Sequence, residues 1–257
     1  MFIGDSISSH ADFDKLQVAT QAQIIKAKAY SSAYDTEVNI AKKRAKFPEQ
    51  NFTDVVPKQM KKDNFKYLII QAGTVDISNL NTKDNPEEYF DYFQQEAVVS
   101  ATKLFETGEK AVVDNPNLQK VVIMNQIPRY DNVEVDPLSL KSALSLLFNK
   151  TLTTLWMQSP HKMKMFIGTH SIECSGAIRE SRYRHTKTGR FDGIHLLGSS
   201  GSKAYTESVL RILNAANITS IDYKYHLTCP QSQFKYQSRR HNTHHNNISQ
   251  KKNFEQF

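Results

Sequence analysis

Two short stretches of the chain carry residue types that together could do nucleophilic chemistry. Gly4-Asp5-Ser6 follows the apolar Met1-Phe2-Ile3 and precedes a helix-like stretch. Ser6 is therefore presented by a strand-to-helix turn, its backbone N–H facing a ligand and its hydroxyl at the end of a strand. The tripeptide also suits an ordinary turn with a helix-capping serine. The second stretch, Asp192-Gly193-Ile194-His195, stands just before the last helix-forming segment. Its three-residue spacing lets one turn aim His195 outward while Asp192 holds the Nδ1–H, the orientation a general base needs to accept a serine proton. Each motif is common alone. A strand-end serine near one terminus and an Asp-x-x-His loop before the last helix rarely coincide by chance.

Other candidate groups are less pointed. Arg179, Arg182, Arg184, His185, Lys187 and Arg190, interrupted only by Glu180, run directly into Asp192. Their charge could attract a carboxylate, a phosphate or a nucleic-acid backbone, or simply keep a loop solvated. Tyr183 and Phe191 interleave with them and would allow base stacking. His241, His244 and His245 have spacing that suits Zn²⁺ or Ni²⁺, but nothing nearby supplies a scaffold, so no metal site is expected. Cys174 and Cys229 form neither a C-x-x-C pair nor a disulfide framework, which favours a reduced compartment and speaks against structural zinc.

These residues need a scaffold. Apolar runs at Met1 to Ile3, Ile24 to Tyr30, Tyr67 to Ala72, Val121 to Met124 and Met163 to Ile167 read as five strands. Helical patterns fall between them, at Pro86 to Phe105 and Pro137 to Met157, and a last one covers Ser202 to Asn214 after Gly198-Ser199-Ser200-Gly201. Trp156 lies among Leu152, Leu155 and Met157 and reads as core. Alternating strands and helices, with strands apolar throughout, predict an α/β fold with a parallel sheet covered by helices on both faces. Function in such a fold gathers at the C-terminal ends of the strands.

The chain has 257 residues, 39% of them hydrophobic and 23% charged, which excludes collagen-like, coiled-coil and wholly disordered classes. No apolar run approaches the length of a transmembrane helix, and the N-terminus lacks the features of a signal peptide, so no membrane partner is expected and the location is read as cytoplasmic or left open. Sequons at Asn51, Asn149, Asn217 and Asn247 read as coincidence on that basis. The first strand is short for a buried one, so Met1 could be an internal residue of a longer chain. Of the net charge of +7, the segment from Ile218 onward contributes +4. Residues from about Thr228 hold Gln, Asn, Ser, His and Lys with few aliphatics. The expected division is a domain at 1–225 and a polar, basic, disordered tail at 226–257.

Over residues 1–217 the sequence resembles the SGNH (GDSL-type) hydrolase superfamily. The likeness rests on Gly4-Asp5-Ser6, on Gly73-Thr74-Val75-Asp76 after the third strand, and on Asp192 with His195. The stretches Gln71 to Leu80 and Asp192 to Leu196 also look like invertebrate SGNH-domain esterase-like proteins. The resemblance implies a flavodoxin-like three-layer α/β/α fold with a parallel five-stranded sheet. It implies an esterase or acyl hydrolase acting on a small-molecule ester without a cofactor. By the same match Ser6 is the nucleophile, His195 the base and Asp192 its orienter.

Two departures concern the oxyanion hole. The family's third block is Gly-x-Asn-Asp, whose Asn donates to the oxyanion; here Val75 stands in its place and has nothing to donate. The second block supplies a glycine N–H, yet no glycine lies between Gly4 and Gly73. Ser6 N–H, Gly73 and the Thr74 hydroxyl are the remaining candidates. Losing one such donor costs roughly 10²–10³ in rate. A second expectation therefore stands beside the first: a catalytically degenerate SGNH domain that binds nucleic acid or another anionic partner through Arg179, Arg182, Arg184, Lys187, Arg190 and the basic tail.

Overall fold

Five strands, β1 (Phe2–Gly4), β2 (Lys26–Lys28), β3 (Tyr67–Gln71), β4 (Lys120–Met124) and β5 (Met165–Gly168), lie side by side in the order β2-β1-β3-β4-β5, every pair parallel. The computed structural model describes residues 1–5, 7–21, 23–24, 26–28, 52–61, 64–78, 90–127, 140–170 and 198–218, all within a backbone unit Met1–Tyr225. The helices are α1 (Phe13–Thr20), α2 (Phe52–Met60), α3 (Thr74–Ser78), α4 (Phe90–Asp114), α5 (Leu140–Gln158) and α6 (Gly198–Ala215). This strand order is that of flavodoxin-like folds, with the order reversing at β1 and β3.

Side chains alternate across a strand, so β1, β3, β4 and β5 feed two cores. Ile3, Leu68, Ile70, Val121, Ile123 and Met165 join residues of α2, α4 and α5 in one core. Phe2, Ile69, Val122 and Met124 join Leu16 of α1 and Tyr205, Val209 and Leu213 of α6 in the other. With both faces covered, β3 and β4 read as nearly continuous apolar runs, whereas β2, at the edge of the sheet, is Lys-Ala-Lys. Burying each such side chain stabilises the fold by about 1.5–3 kcal/mol.

The boundaries differ from the sequence expectation in instructive ways. Strand β5 starts at Met165 rather than Met163, which is exposed: the N–H groups of Lys164 and Met165 both donate to His161 O, holding the preceding residues in a turn. Helix α4 continues past Phe105 to Asp114, through Gly108. That glycine lets the helix lie close on the sheet, since a Cβ there would stand 3.1 Å from both Ile123 and Met165. Helix α2 carries Pro57 in its interior and was not anticipated. Trp156 is partly buried at the margin of its core, and its indole N–H donates to Met165 O at 2.9 Å.

Helix α6 ends in a Schellman turn. Asn217 takes a left-handed φ of 56°, its N–H donates to Asn214 O, and Ile218 N–H donates to Leu213 O. The same helix is tied at its other end to the chain that follows β1: Ser202 Oγ donates to His10 O at 2.7 Å, and Thr206 Oγ1 accepts from Asp12 N–H at 2.8 Å. Among the described residues, no helix is long and apolar enough to cross a membrane.

Candidate active site

Pairing register brings Gly4, Gln71, Met124 and Gly168 level with one another at the C-terminal edge of the sheet. The residues just beyond them build the candidate site. After Gly4 the chain turns sharply. Asp5 N–H donates to Gln71 O, Asp5 Oδ1 accepts from Ile7 N–H at 3.0 Å, and Ser8 folds back so that its Oγ donates to Asp5 O at 2.7 Å. A Cβ on Gly4 would lie 2.0 Å from Ser8 Oγ, so this fold-back needs glycine. A 3-10 turn, Ser8–His10, follows, and Asp12 caps α1 by accepting from Lys15 N–H. Ser6 itself lies outside the described residues, between these two fixed neighbours in sequence.

At the end of β3, Gly73 takes a φ of +104°, a conformation that side-chain-bearing residues rarely adopt. Its carbonyl accepts from Ile77 N–H, opening the short α3 with Thr74 as its first residue. Thr74 and Asp76 are buried, and Val75 is half-buried. Asp76 lies in the first turn of this helix. Glu96 on α4 has its carboxyl held above the usual range, chiefly by burial and secondarily by the charge of Asp76.

Beyond β4, Asn149 on α5 clamps the backbone of Gln126, accepting from its N–H at 2.8 Å and donating to its carbonyl at 3.1 Å. The carboxamide of Gln126 is buried, with neither its Oε1 nor its Nε2 hydrogen-bonded. It lies against Gly73, where a Cβ would stand 2.6 Å from Gln126 Nε2 and from the Phe148 ring. Beside it, Asn125 donates through Nδ2 to Thr169 Oγ1 at 3.2 Å, while its Oδ1 has no partner.

A buried polar network underlies this edge, and the sequence reading missed it. His170, just beyond β5, contacts Gln71 Oε1 through Nε2 at 2.6 Å and Ser208 Oγ through Nδ1 at 2.9 Å. Gln71 also donates from Nε2 to Asn125 O, which fixes its oxygen as the acceptor toward His170. Nε2 of the imidazole therefore carries the proton, and Nδ1 accepts from the Ser208 hydroxyl. Burial holds His170 neutral, its pKa lowered to about 3. Tyr205 OH reaches the same Gln71 oxygen at 3.4 Å, and its phenol is pushed well above the usual range, first by burial and then by the charge of Asp5. The signal for this network was a glutamine closing an apolar strand and a Tyr-x-x-Ser pair on one helix face.

Of the residues singled out by sequence, Gly73 and Thr74 sit at this edge beside Gln126. Asp192, His195, Arg179, Arg182, Arg184, Lys187 and Arg190, in the stretch of chain joining β5 to α6, lie outside the described residues, and so do the histidines of the tail after α6. Among the described residues, no group of three or more His, Cys, Asp or Glu side chains could hold a metal ion.

No protein-family model matches the chain, and no curated protein sequence matches it. Among solved structures it is similar to the acetylxylan esterase Axe2 from Geobacillus stearothermophilus, at 15% identity and a TM-score of 0.43 over 82% of this chain and 92% of that one. It is also similar to phospholipase A1 from Streptomyces albidoflavus NA297, at 12% identity and a TM-score of 0.47 over 84% of this chain and 97% of that one. A third is LAE5, an alpha/beta hydrolase enzyme from the metagenome of Lake Arreo, Spain, at 14% identity and a TM-score of 0.39 over 84% of this chain and 94% of that one.

Proposed function

We propose that this chain is a serine ester hydrolase of the SGNH type. Ser6 Oγ attacks the ester carbonyl while His195 takes its proton and Asp192 orients and balances the imidazolium. The tetrahedral oxyanion is held by Ser6 N–H with Gly73 and Thr74. Collapse expels the alcohol, which receives the proton from His195; water, activated by the same base, then releases the acid and restores Ser6. No cofactor enters this scheme.

The observation that carries the reading is the pair of hydrogen bonds between α6 and the chain after β1. Ser6 stands four residues before His10, and His195 seven residues before Ser202. His10 and Ser202 are themselves hydrogen-bonded. The flanks of the two motifs thus meet at the functional edge of the sheet, which supports a Ser6–His195 pair.

The test is labelling of the purified protein with a fluorophosphonate probe. Wild type should label at one serine, and both Ser6→Ala and His195→Ala should abolish it while the melting temperature stays unchanged. Labelling that survives Ser6→Ala would refute the assignment.

A second reading is favoured by Val75, which offers no donor to an oxyanion: a degenerate domain that binds nucleic acid through Arg179, Arg182, Arg184, Lys187, Arg190 and the basic tail. It requires binding to single-stranded RNA or DNA that weakens steeply with salt. No retention on either polymer at low salt removes it.

A further inference from the structure

We propose that the carboxamide of Gln126 donates to the oxyanion, supplying the hydrogen bond that Val75 does not. The inference rests on the hydrolase reading above. Acyl transfer needs donors aimed at the developing negative charge, and the rate depends on each of them. Gln126 Nε2 is a donor at this edge with no partner to lose.

Three features set it there. The side chain is 2% exposed and makes no hydrogen bond at either end, an arrangement native proteins rarely leave unexplained. It packs against Gly73, a position whose lack of a side chain makes room for it: any Cβ would press on Gln126 Nε2 and the Phe148 ring at 2.6 Å. The backbone of Gln126, just beyond β4, is fixed by its two hydrogen bonds with Asn149 on α5, so the amide is delivered from a held point of the chain. Turning the amide toward a substrate oxygen breaks no hydrogen bond in the resting protein, and donation from a water-poor position is stronger than from an exposed one. Val75, one residue beyond Thr74, marks the side chain this arrangement replaces.

The experiment compares wild type with Gln126→Met, an apolar side chain of similar length, using p-nitrophenyl acetate as the probe ester. The expected result is a kcat lower by roughly 10²–10³-fold with KM little changed. The melting temperature should be equal or higher, because an unpaired buried amide has been removed. A structural role would show the reverse, a lower melting temperature with kcat retained, and would overturn the proposal. A readout that needs no variant is the side-chain amide signal of ¹⁵N-labelled Gln126. It should move on formation of the fluorophosphonate adduct, and an unmoved signal on a fully formed adduct refutes the role. An active wild type with an unimpaired Gln126→Met variant overturns this proposal alone. A folded wild type that neither labels nor hydrolyses overturns the hydrolase reading and this role together.

Discussion

The two ends of one sheet have been put to opposite uses. At the C-terminal ends of the strands the chain places Asp5, Gln71, Asn125, Gln126 and His170, all buried, and leaves Asn125 Oδ1 and the Gln126 carboxamide without a hydrogen-bond partner. At the N-terminal ends it places a mostly apolar cavity of about 480 Å³, bounded by Met1, Phe2, Tyr67, Ile69, Leu213 and Ile218, and turns whose hydrogen bonds are made. Buried polar groups cost stability unless paired, whereas apolar burial supplies it. The lower edge thus satisfies its backbone around apolar side chains, and the upper edge carries buried polar groups at a cost in stability.

This division is breakable by mutation. The largest effect should come from the lower edge. Leu118, buried in the turn before β4, should cost about 2–5 kcal/mol on replacement by alanine, read as a shift in urea midpoint at constant m-value. The folded fraction should label with fluorophosphonate at the wild-type rate; a slowed rate would mean the two ends are coupled.

Next comes the pH dependence of the upper edge. The pKa of His170 is lowered in the folded protein from 6.5 to about 3, so between those values the unfolded chain binds a proton that the native state refuses. Its contribution is complete above pH 6.5 and declines as the pH falls toward 3, at about 1.4 kcal/mol per pH unit. His170→Asn should flatten that part of the stability profile. An unchanged slope would assign acid sensitivity elsewhere.

Two smaller effects sharpen the picture. Asp12→Ala removes the cap of α1, the helix that follows the turn after β1, and should lower stability by about 1 kcal/mol in thermal melts. Lys103→Ala removes an exposed ion pair with Glu106 on α4, far from either edge's purpose, and should shift stability by less than about 0.5 kcal/mol.

The contrast also explains what could be read in the sequence. The strands were legible because both faces are covered, leaving unbroken apolar runs such as Leu68-Ile69-Ile70 and Val121-Val122-Ile123. The N-terminus of α6 was not, because Gly198-Ser199-Ser200-Gly201 has poor intrinsic helix propensity and looks like a loop. Helix α2 was hidden by Pro57 in the same way. In the candidate site, motif reading reached Gly73 and Thr74, which stand at the sheet edge, while Ser6, Asp192 and His195 lie outside the described residues. Gln71, His170, Ser208 and Gln126 were not reached, since strand-end amides and an isolated histidine resemble loop residues until the strand register sets them side by side.

The bonds between α6 and the chain after β1 have a further consequence, for the order of assembly. Asp12–Thr206 and His10–Ser202 join residues 194 and 192 apart in sequence. As the polypeptide leaves the ribosome, β1 and α1 emerge first, yet the helix that covers their apolar face is made only after all five strands. Until then Phe2, Ile7, Leu16, Val122 and Met124 have nothing to cover them from α6. A chain stopped before Gly198 should therefore bind a hydrophobic dye and be cut readily by protease, whereas one extended to Ile218 should not.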